Sequence, residues 1–179
     1  MTNDEIIDLV KKACNQVLEK DSWLLENDIS EQSISHKIAS YLQLLVKDYN
    51  VDCEYNGDID KSNNKKSISI LKTSLEEFRL LKDKECCDLD KELTQRAVFP
   101  DIIIHNRGTH KDNLCIIEVK KSTSTVSFKY DEIKLCSYTS PFHGNNLKYQ
   151  IGIFIEALTK SKVANFNFKY YEGGYEVEL

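Results

Sequence analysis

A chain of 179 residues is long enough to bury one sizeable hydrophobic core, and its length predicts a single domain over residues 1–179. Its 41% apolar and 30% charged residues are typical of a globular protein, and no apolar run approaches the ~20 residues of a membrane span. The first residues carry neither the basic nor the apolar region of a secretion signal, so we expect a cytoplasmic protein. The net charge of −5 argues against a protein that coats nucleic acid.

The six cysteines give no sign of a metal or disulfide framework. No two of them form a C-x-x-C pair, and Cys53 and Cys115 lie inside apolar, strand-like runs. Free cysteine is often buried as a small apolar residue. We therefore expect buried or incidental thiols rather than zinc ligands.

Two amphipathic helices open the chain. Apolar residues recur at helical spacing over residues 3–20 and again from Ile29 to Lys47. On the second helix, Glu31 precedes Ile38 by seven positions, which places it about 20° away around the axis, on the apolar stripe. Two interpretations of Glu31 stay open at this point: an acid that faces a functional site, or the closing residue of a capping box that Asp28 begins.

A charge-rich segment separates the first predicted strand from the centre of the chain. The strand is predicted over residues 51–56, and residues 57–97 read as an insertion in which the spacing of Leu71, Leu75 and Phe78 predicts one helix. The insertion is either a solvated connector with one packed helix or a lid on the substrate side.

Two apolar runs form the centre of the sequence. They cover residues 99–105 and 114–120, and the eight polar residues from Asn106 to Asn113 join them into a long-looped β-hairpin. Side chains alternate across a strand, so Glu118 and Lys120 share one face of the second run.

The rest of the chain completes an α/β pattern. A helix is predicted over residues 130–138, an apolar strand over 149–157, and a terminal hairpin over about 163–179. This order predicts a mixed central sheet flanked by helices. The exposed edge of the terminal hairpin can pair with a second copy, so a homodimer is expected.

Acidic side chains at the ends of the two central runs indicate a metal site. Mg²⁺ prefers carboxylate and carbonyl oxygens, so the candidate ligands are Asp101, Glu118 and the backbone carbonyl of Val119, with Glu31 completing the site from its helix. A bound Mg²⁺ supplies a hydroxide and relieves charge at a phosphorus atom. Lys120 would orient or deprotonate the attacking water and stabilise the charge that develops.

The alternative is an ion pair between Glu118 and Lys120 or Lys121 at a strand end. An unpaired buried carboxylate costs several kcal/mol unless a cation compensates it, so acids within the most apolar strands favour a functional explanation. Residues 98–148 also hold seven basic and five acidic side chains, a local excess that suits an anionic ligand.

The motif formed by Pro100-Asp101 and Glu118-Val119-Lys120, with Glu31 before the first core strand, resembles the PD-(D/E)XK nuclease superfamily. The predicted order αβββαβ over about residues 29–157 is similar to the core of its restriction-endonuclease-like fold, with 57–97 as an insertion. The resemblance covers about two thirds of the chain.

The resemblance implies a Mg²⁺- or Mn²⁺-dependent endonuclease that hydrolyses phosphodiester bonds, in restriction, repair or phage defence. DNA is the expected substrate and RNA the alternative. It also implies that Asp101 and Glu118 bind the metal, that Lys120 serves catalysis, and that Glu31 supports the metal. The helix after the motif would contribute Asp131 or Lys134. The acidic net charge leaves open a second interpretation, a catalytically inactive nuclease-fold module that binds a protein or nucleic-acid partner.

Overall fold

A mixed six-stranded sheet forms the centre of the molecule, seen in a computed structural model that describes residues 1–58, 65–86, 91–109, 111–161 and 163–179. The helices in the described residues are α1 (Asn3–Lys20), α2 (Trp23–Glu26), α3 (Glu31–Leu45), α4 (Lys72–Glu77), α5 (Asp83–Cys86) and α6 (Lys129–Thr139). The strands are β1 (Asn50–Cys53), β2 (Ser67–Leu71), β3 (Leu93–Ala97), β4 (Ile102–His105), β5 (Cys115–Lys121), β6 (Ile151–Leu158), β7 (Asn165–Glu172) and β8 (Tyr175–Val177).

The strand order in the large sheet is β1-β4-β5-β6-β7-β8. The pairing of β5 with β6 is parallel and the other four pairings are antiparallel, so the predicted mixed α/β sheet is confirmed. The parallel pair needs a crossover, which α6 supplies.

Helices α1 and α3 cover one face of the sheet. Thr2 caps α1 through a reciprocal capping box with Glu5, and the helix spans the predicted residues 3–20. Its apolar stripe joins that of α3 over the alternate, inward-facing residues of β4, β5 and β6 in the larger core. Among the described residues, no helix combines the length and apolar character needed to cross a membrane.

Helix α6 and the antiparallel β2–β3 pair cover the other face. Ile116 of β5 and Phe154 of β6 belong to this second core, together with Tyr138 of α6. Gly152 allows α6 to lie close to the sheet, because a Cβ atom there would stand 3.2 Å from a methyl carbon of Leu135. The opposite sides of β5 therefore face different helices, as the alternation of its residues predicts.

Two predicted details differ from the structure. Ser30, not Asp28, is the N-cap of α3, and its hydroxyl accepts a hydrogen bond from the Ser33 N–H, so the capping-box interpretation of Asp28 is wrong. The segment from residue 57 to 97 contains the antiparallel β2–β3 pair as well as helices, where the sequence predicted one helix. Ile68 and Ile70 alternate with serines there, and so short a period-two run is easily overlooked in a polar segment. Residues 59–64 and 87–90 of this segment lie outside the described residues.

Candidate functional site

Four elements converge at the end of β5: the first turn of α3, the residue before β4, the second half of β5 and the first half of α6. The register of the central hairpin pairs Ile102 with Ile117, which brings Asp101 alongside Glu118. The charged side chains that meet here are Glu31, Asp101, Glu118, Lys120, Asp131 and Lys134. The structure thus brings together Glu31, Asp101, Glu118 and Lys120, and it brings both Asp131 and Lys134, the two residues that the resemblance implies for α6, to the same place.

Glu118 is the most deeply placed acid of this group, with 2% of its surface exposed. Its Oε2 lies 2.7 Å from Lys134 Nζ, and its Oε1 accepts a 3.2 Å hydrogen bond from the Tyr138 hydroxyl. Burial raises the pKa of Glu118; the Lys134 ammonium opposes this rise and the nearby Asp101 carboxylate adds to it. A buried acid next to a second acid is an environment that a cation stabilises.

Asp101 is half-buried and is held by the backbone of β5. Its Oδ2 accepts a 2.7 Å hydrogen bond from the Val119 N–H, and burial raises the pKa of Asp101 to about 6. Asp101 also borders a cavity of about 470 Å³ between α3 and the end of β1, where Ser35, His36 and Glu54 are among the lining residues. This cavity connects the acid with solvent.

Lys120 lies between the two helices that flank β5. Its Nζ is 3.4 Å from Glu31 Oε2 and 3.4 Å from Asp131 Oδ2. Burial by itself lowers the pKa of Lys120, but the carboxylates of Asp131 and Glu31 outweigh it, so the net pKa is raised. Lys120 is therefore an ammonium at neutral pH.

Glu31 begins α3 and reaches the backbone of β5. Its Oε1 accepts a 3.1 Å hydrogen bond from the Lys121 N–H, while Oε2 faces Lys120. A carboxylate in the first turn of a helix is also favoured by the helix dipole. Glu31 therefore holds the end of β5 and the Lys120 side chain in position. Its predicted role in supporting a metal stays a prediction.

A polar cluster around Asp28 fastens the start of α3 to the sheet. Asp28 accepts hydrogen bonds from the hydroxyls of Thr123 and Thr159, at 2.6 and 2.8 Å, and lies 2.9 Å from Lys121 Nζ. These hydrogen bonds and the Lys121 ion pair lower the pKa of Asp28. The cluster joins the turn before Glu31 to the ends of β5 and β6.

Helix α6 contributes more to the site than the short motif indicates. Asp131, Lys134 and Tyr138 are spaced three and four residues apart, so they lie on one face of α6, and Lys134 Nζ is 2.7 Å from Asp131 Oδ1. The family resemblance implies a role for Asp131 or Lys134, whereas the sequence predicts Tyr138 only as a helical position. A D-x-x-K-x-x-x-Y spacing behind the E-x-K motif is the signal that identifies all three.

The charges of the cluster suit a divalent cation. Four carboxylates face two ammonium groups, which leaves two negative charges in excess when all six ionise. Carboxylate oxygens are also the ligand type that Mg²⁺ prefers. Asp101 and Glu118 fit the role of its paired acids, but the described residues contain no group of three or more His, Cys, Asp or Glu side chains arranged around one metal position.

Comparison with protein-family models, with curated proteins and with solved structures finds no match for this chain.

Proposed function

We propose that this protein is a metal-dependent nuclease with a restriction-endonuclease-like αβββαβ core, hydrolysing phosphodiester bonds of DNA, or of RNA, with Mg²⁺ or Mn²⁺. The observation that carries the proposal is the meeting of Asp101 with Glu118 and of Lys120 with two further acids at the end of one buried strand. The resemblance needs Asp101 and Glu118 to be neighbours, and the pairing of Ile102 with Ile117 supports it.

Each side chain has a defined part in such a reaction. Asp101 and Glu118 would hold the metal, with the predicted Val119 carbonyl and Glu31 as further ligands; when bound, the metal lowers the pKa of water and relieves charge on the phosphate. Lys120 carries a positive charge at neutral pH, which favours stabilising the negative charge on the phosphate oxygens over removing a proton from water. Glu31 and Asp131 each hold the Lys120 ammonium through an ion pair of 3.4 Å.

The test is cleavage of a substrate panel by the purified protein. Supercoiled DNA, linear duplex, single-stranded DNA and structured RNA would each be incubated with Mg²⁺, Mn²⁺ or a chelator. We expect metal-dependent cleavage of at least one substrate, and a loss of about 100-fold or more in rate for Glu118→Gln and for Lys120→Met.

Matched controls separate the site from general effects of charge removal. Asp8→Asn and Lys12→Met change an exposed ion pair on α1, whose two charges lie 2.6 Å apart, and should leave the rate unchanged. Cleavage that persists in Glu118→Gln and Lys120→Met at the wild-type rate, or no cleavage of any member of the panel, would contradict the proposal.

One observation favours the second candidate, an inactive nuclease-fold module that binds a protein or nucleic-acid partner. Both oxygens of Glu118 already have protein donors, because Lys134 and Tyr138 engage them. A lysine that neutralises the buried acid permanently would make the metal unnecessary. Native mass spectrometry distinguishes the two candidates: a stable complex retained in Asp101→Ala, together with no metal-dependent cleavage, supports the module.

A further inference from the structure

A basic cavity lies beside the candidate site on the α6 face of the sheet. It measures about 890 Å³ and is bounded by the β2–β3 pair, α5, the first turn of α6 and the loop after α6. Its charged or titratable lining residues, among those the structure describes, are Lys72, Lys82, Lys84, Glu85, Lys91, Arg96, Tyr130 and His143. The cavity thus collects positive charge on a protein whose net charge is −5.

Glu85 is the single carboxylate among these described lining residues, and it forms an ion pair with Arg96. Glu85 Oε1 and Oε2 accept hydrogen bonds of 2.9 and 2.6 Å from the Arg96 guanidinium, and both side chains are buried. Thr94 and the Lys82 N–H donate to the same carboxylate. Glu85 therefore shapes the floor of the cavity, while the exposed ammonium groups of Lys82 and Lys84 form part of its rim.

Tyr130 connects this cavity with the candidate site. The Arg96 guanidinium carbon lies 5.1 Å from the centre of the Tyr130 ring, and Lys134 Nζ lies 5.6 Å from the same centre. Lys134 in turn contacts Glu118 at 2.7 Å. A ligand that spans Tyr130 would thus touch the basic cavity at one end and the acidic cluster at the other.

We propose that this cavity binds the sugar–phosphate backbone of the nucleic-acid strand whose cleavage is proposed above, an inference that rests on that function. Lysine ammonium groups bind backbone phosphates without reading sequence. A single phosphate would fill little of about 890 Å³, so the cavity suits a polymer better than a small anion. The β2–β3 pair and α5, which supply much of the lining, are then substrate-holding parts of the protein.

The experiment measures binding with cleavage switched off. Fluorescence anisotropy of short labelled duplex DNA, single-stranded DNA and single-stranded RNA would be recorded in chelator across a salt series. The test variant is Lys82→Glu/Lys84→Glu. The matched control is Lys47→Glu/Lys111→Glu, which makes the same charge change at exposed lysines near the opposite end of the sheet.

We expect wild type and the control variant to bind at least one probe with equal affinity. The test variant should bind at least about 10-fold more weakly than wild type. The slope of its plot of log K against log salt should be smaller in magnitude by about 2, because each lost phosphate contact lowers the slope by about 1. The proposal would be overturned if the two variants bound with equal affinity and equal salt dependence. It would also be overturned if inorganic phosphate, added at constant ionic strength, displaced the probe completely. Urea unfolding of both variants verifies that they fold.

The outcomes also separate this inference from the proposed function. Cavity-dependent binding without cleavage of any substrate leaves the binding surface in place and contradicts the nuclease. Metal-dependent cleavage that is the same in Lys82→Glu/Lys84→Glu as in wild type leaves the nuclease in place and contradicts the binding surface.

Discussion

At the scale of single residues, the buried polar groups differ in whether they have partners. The Tyr138 hydroxyl donates to Glu118 in the middle of the second core. The Tyr149 hydroxyl is equally buried and has no hydrogen-bond partner among the described residues. Removal of the hydroxyl group is therefore expected to change the stability of the protein differently at these two tyrosines.

We expect Tyr138→Phe to lower the free energy of unfolding by ~1–3 kcal/mol, because it removes a buried hydrogen bond and leaves a carboxyl oxygen of Glu118 without this donor. Tyr149→Phe should leave the free energy of unfolding unchanged or raise it, because it removes an unsatisfied polar atom. Urea unfolding of both variants measures the difference. Equal destabilisation by the two substitutions would contradict the hydrogen-bond assignment.

His105 lies outside the candidate site, and we expect it to make the free energy of unfolding depend on pH. Burial lowers the pKa of His105, although its hydrogen bond to Asp52 opposes the shift, and the charges of Lys66 and Arg107 lower it further. The unfolded chain, with a pKa of about 6.5, therefore binds more protons at this ring than the folded protein does. The His105 contribution to stability is complete above about pH 6.5 and is lost as the pH falls below that value.

The measurement is the unfolding free energy in chelator between about pH 5 and 7.5. His105→Gln should flatten the decline at acid pH relative to wild type. His36→Gln, at an exposed position of α3, should keep the wild-type slope. A His105→Gln profile parallel to that of wild type would show that the ring makes no such contribution.

At the scale of elements, the candidate site depends on where α3 begins. Ser30 caps the helix, Glu31 follows at once, and the Asp28 cluster ties the preceding turn to β5. A change of one turn in this start would carry Glu31 away from Lys120. The cap therefore contributes both to the stability of the helix and to the position of the acid.

Ser30→Ala should lower the free energy of unfolding by about 1 kcal/mol through the loss of the cap. Ser40→Ala is the matched control on the same helix: its exposed hydroxyl donates to the His36 carbonyl, and alanine has the higher helix propensity, so stability should stay level or rise. Chemical denaturation compares the two. A Ser40→Ala loss as large as that of Ser30→Ala would argue against the capping role.

At the scale of the whole molecule, a bound metal would join α3, β4, β5 and α6, because their acids meet at one place. A ligand that binds only the folded protein raises its stability, by ~2.7 kcal/mol at a concentration of 100 times its dissociation constant. We expect Mg²⁺ to raise the melting temperature of wild type and of Asp8→Asn. Asp101→Asn should lose the increase; an increase that it retains in full would exclude Asp101 as a ligand.

The sheet also has an edge strand, β8, next to the terminal hairpin turn. Tyr175 of β8 is 67% exposed, and the predicted homodimer would pair along this edge. Sedimentation equilibrium should then show a dimer that Tyr175→Lys converts to monomer, while Trp23→Lys, a change at an exposed aromatic residue on α2, leaves it intact. A monomeric wild-type protein would contradict the dimer.

The sequence by itself determined the elements whose hydrophobic period is long and regular. The periodicity over residues 3–20 predicts α1 to the residue, because a repeating pattern over many residues favours one secondary structure. The shorter apolar runs predict the central hairpin and β6 through their length and flanking turn residues, although β4 begins three residues after the start of its predicted run. The alternation within β5 likewise predicted that Glu118 faces away from Val119. Four candidate site residues followed from local spacing and family resemblance.

Only the tertiary structure decided how charges from distant parts of the chain meet. The contacts of Glu31 with Lys120 and of Lys134 with Glu118 depend on how α3 and α6 pack against β5, and spacing within one element carries no information about that packing. The basic cavity depends even more on tertiary structure. Its lysines come from a polar segment without a clear hydrophobic period, and one ring, Tyr130, connects the cavity with the site. Packing of the β2–β3 pair against α6 brings Arg96 to the Tyr130 ring, which also contacts Lys134, the partner of Glu118.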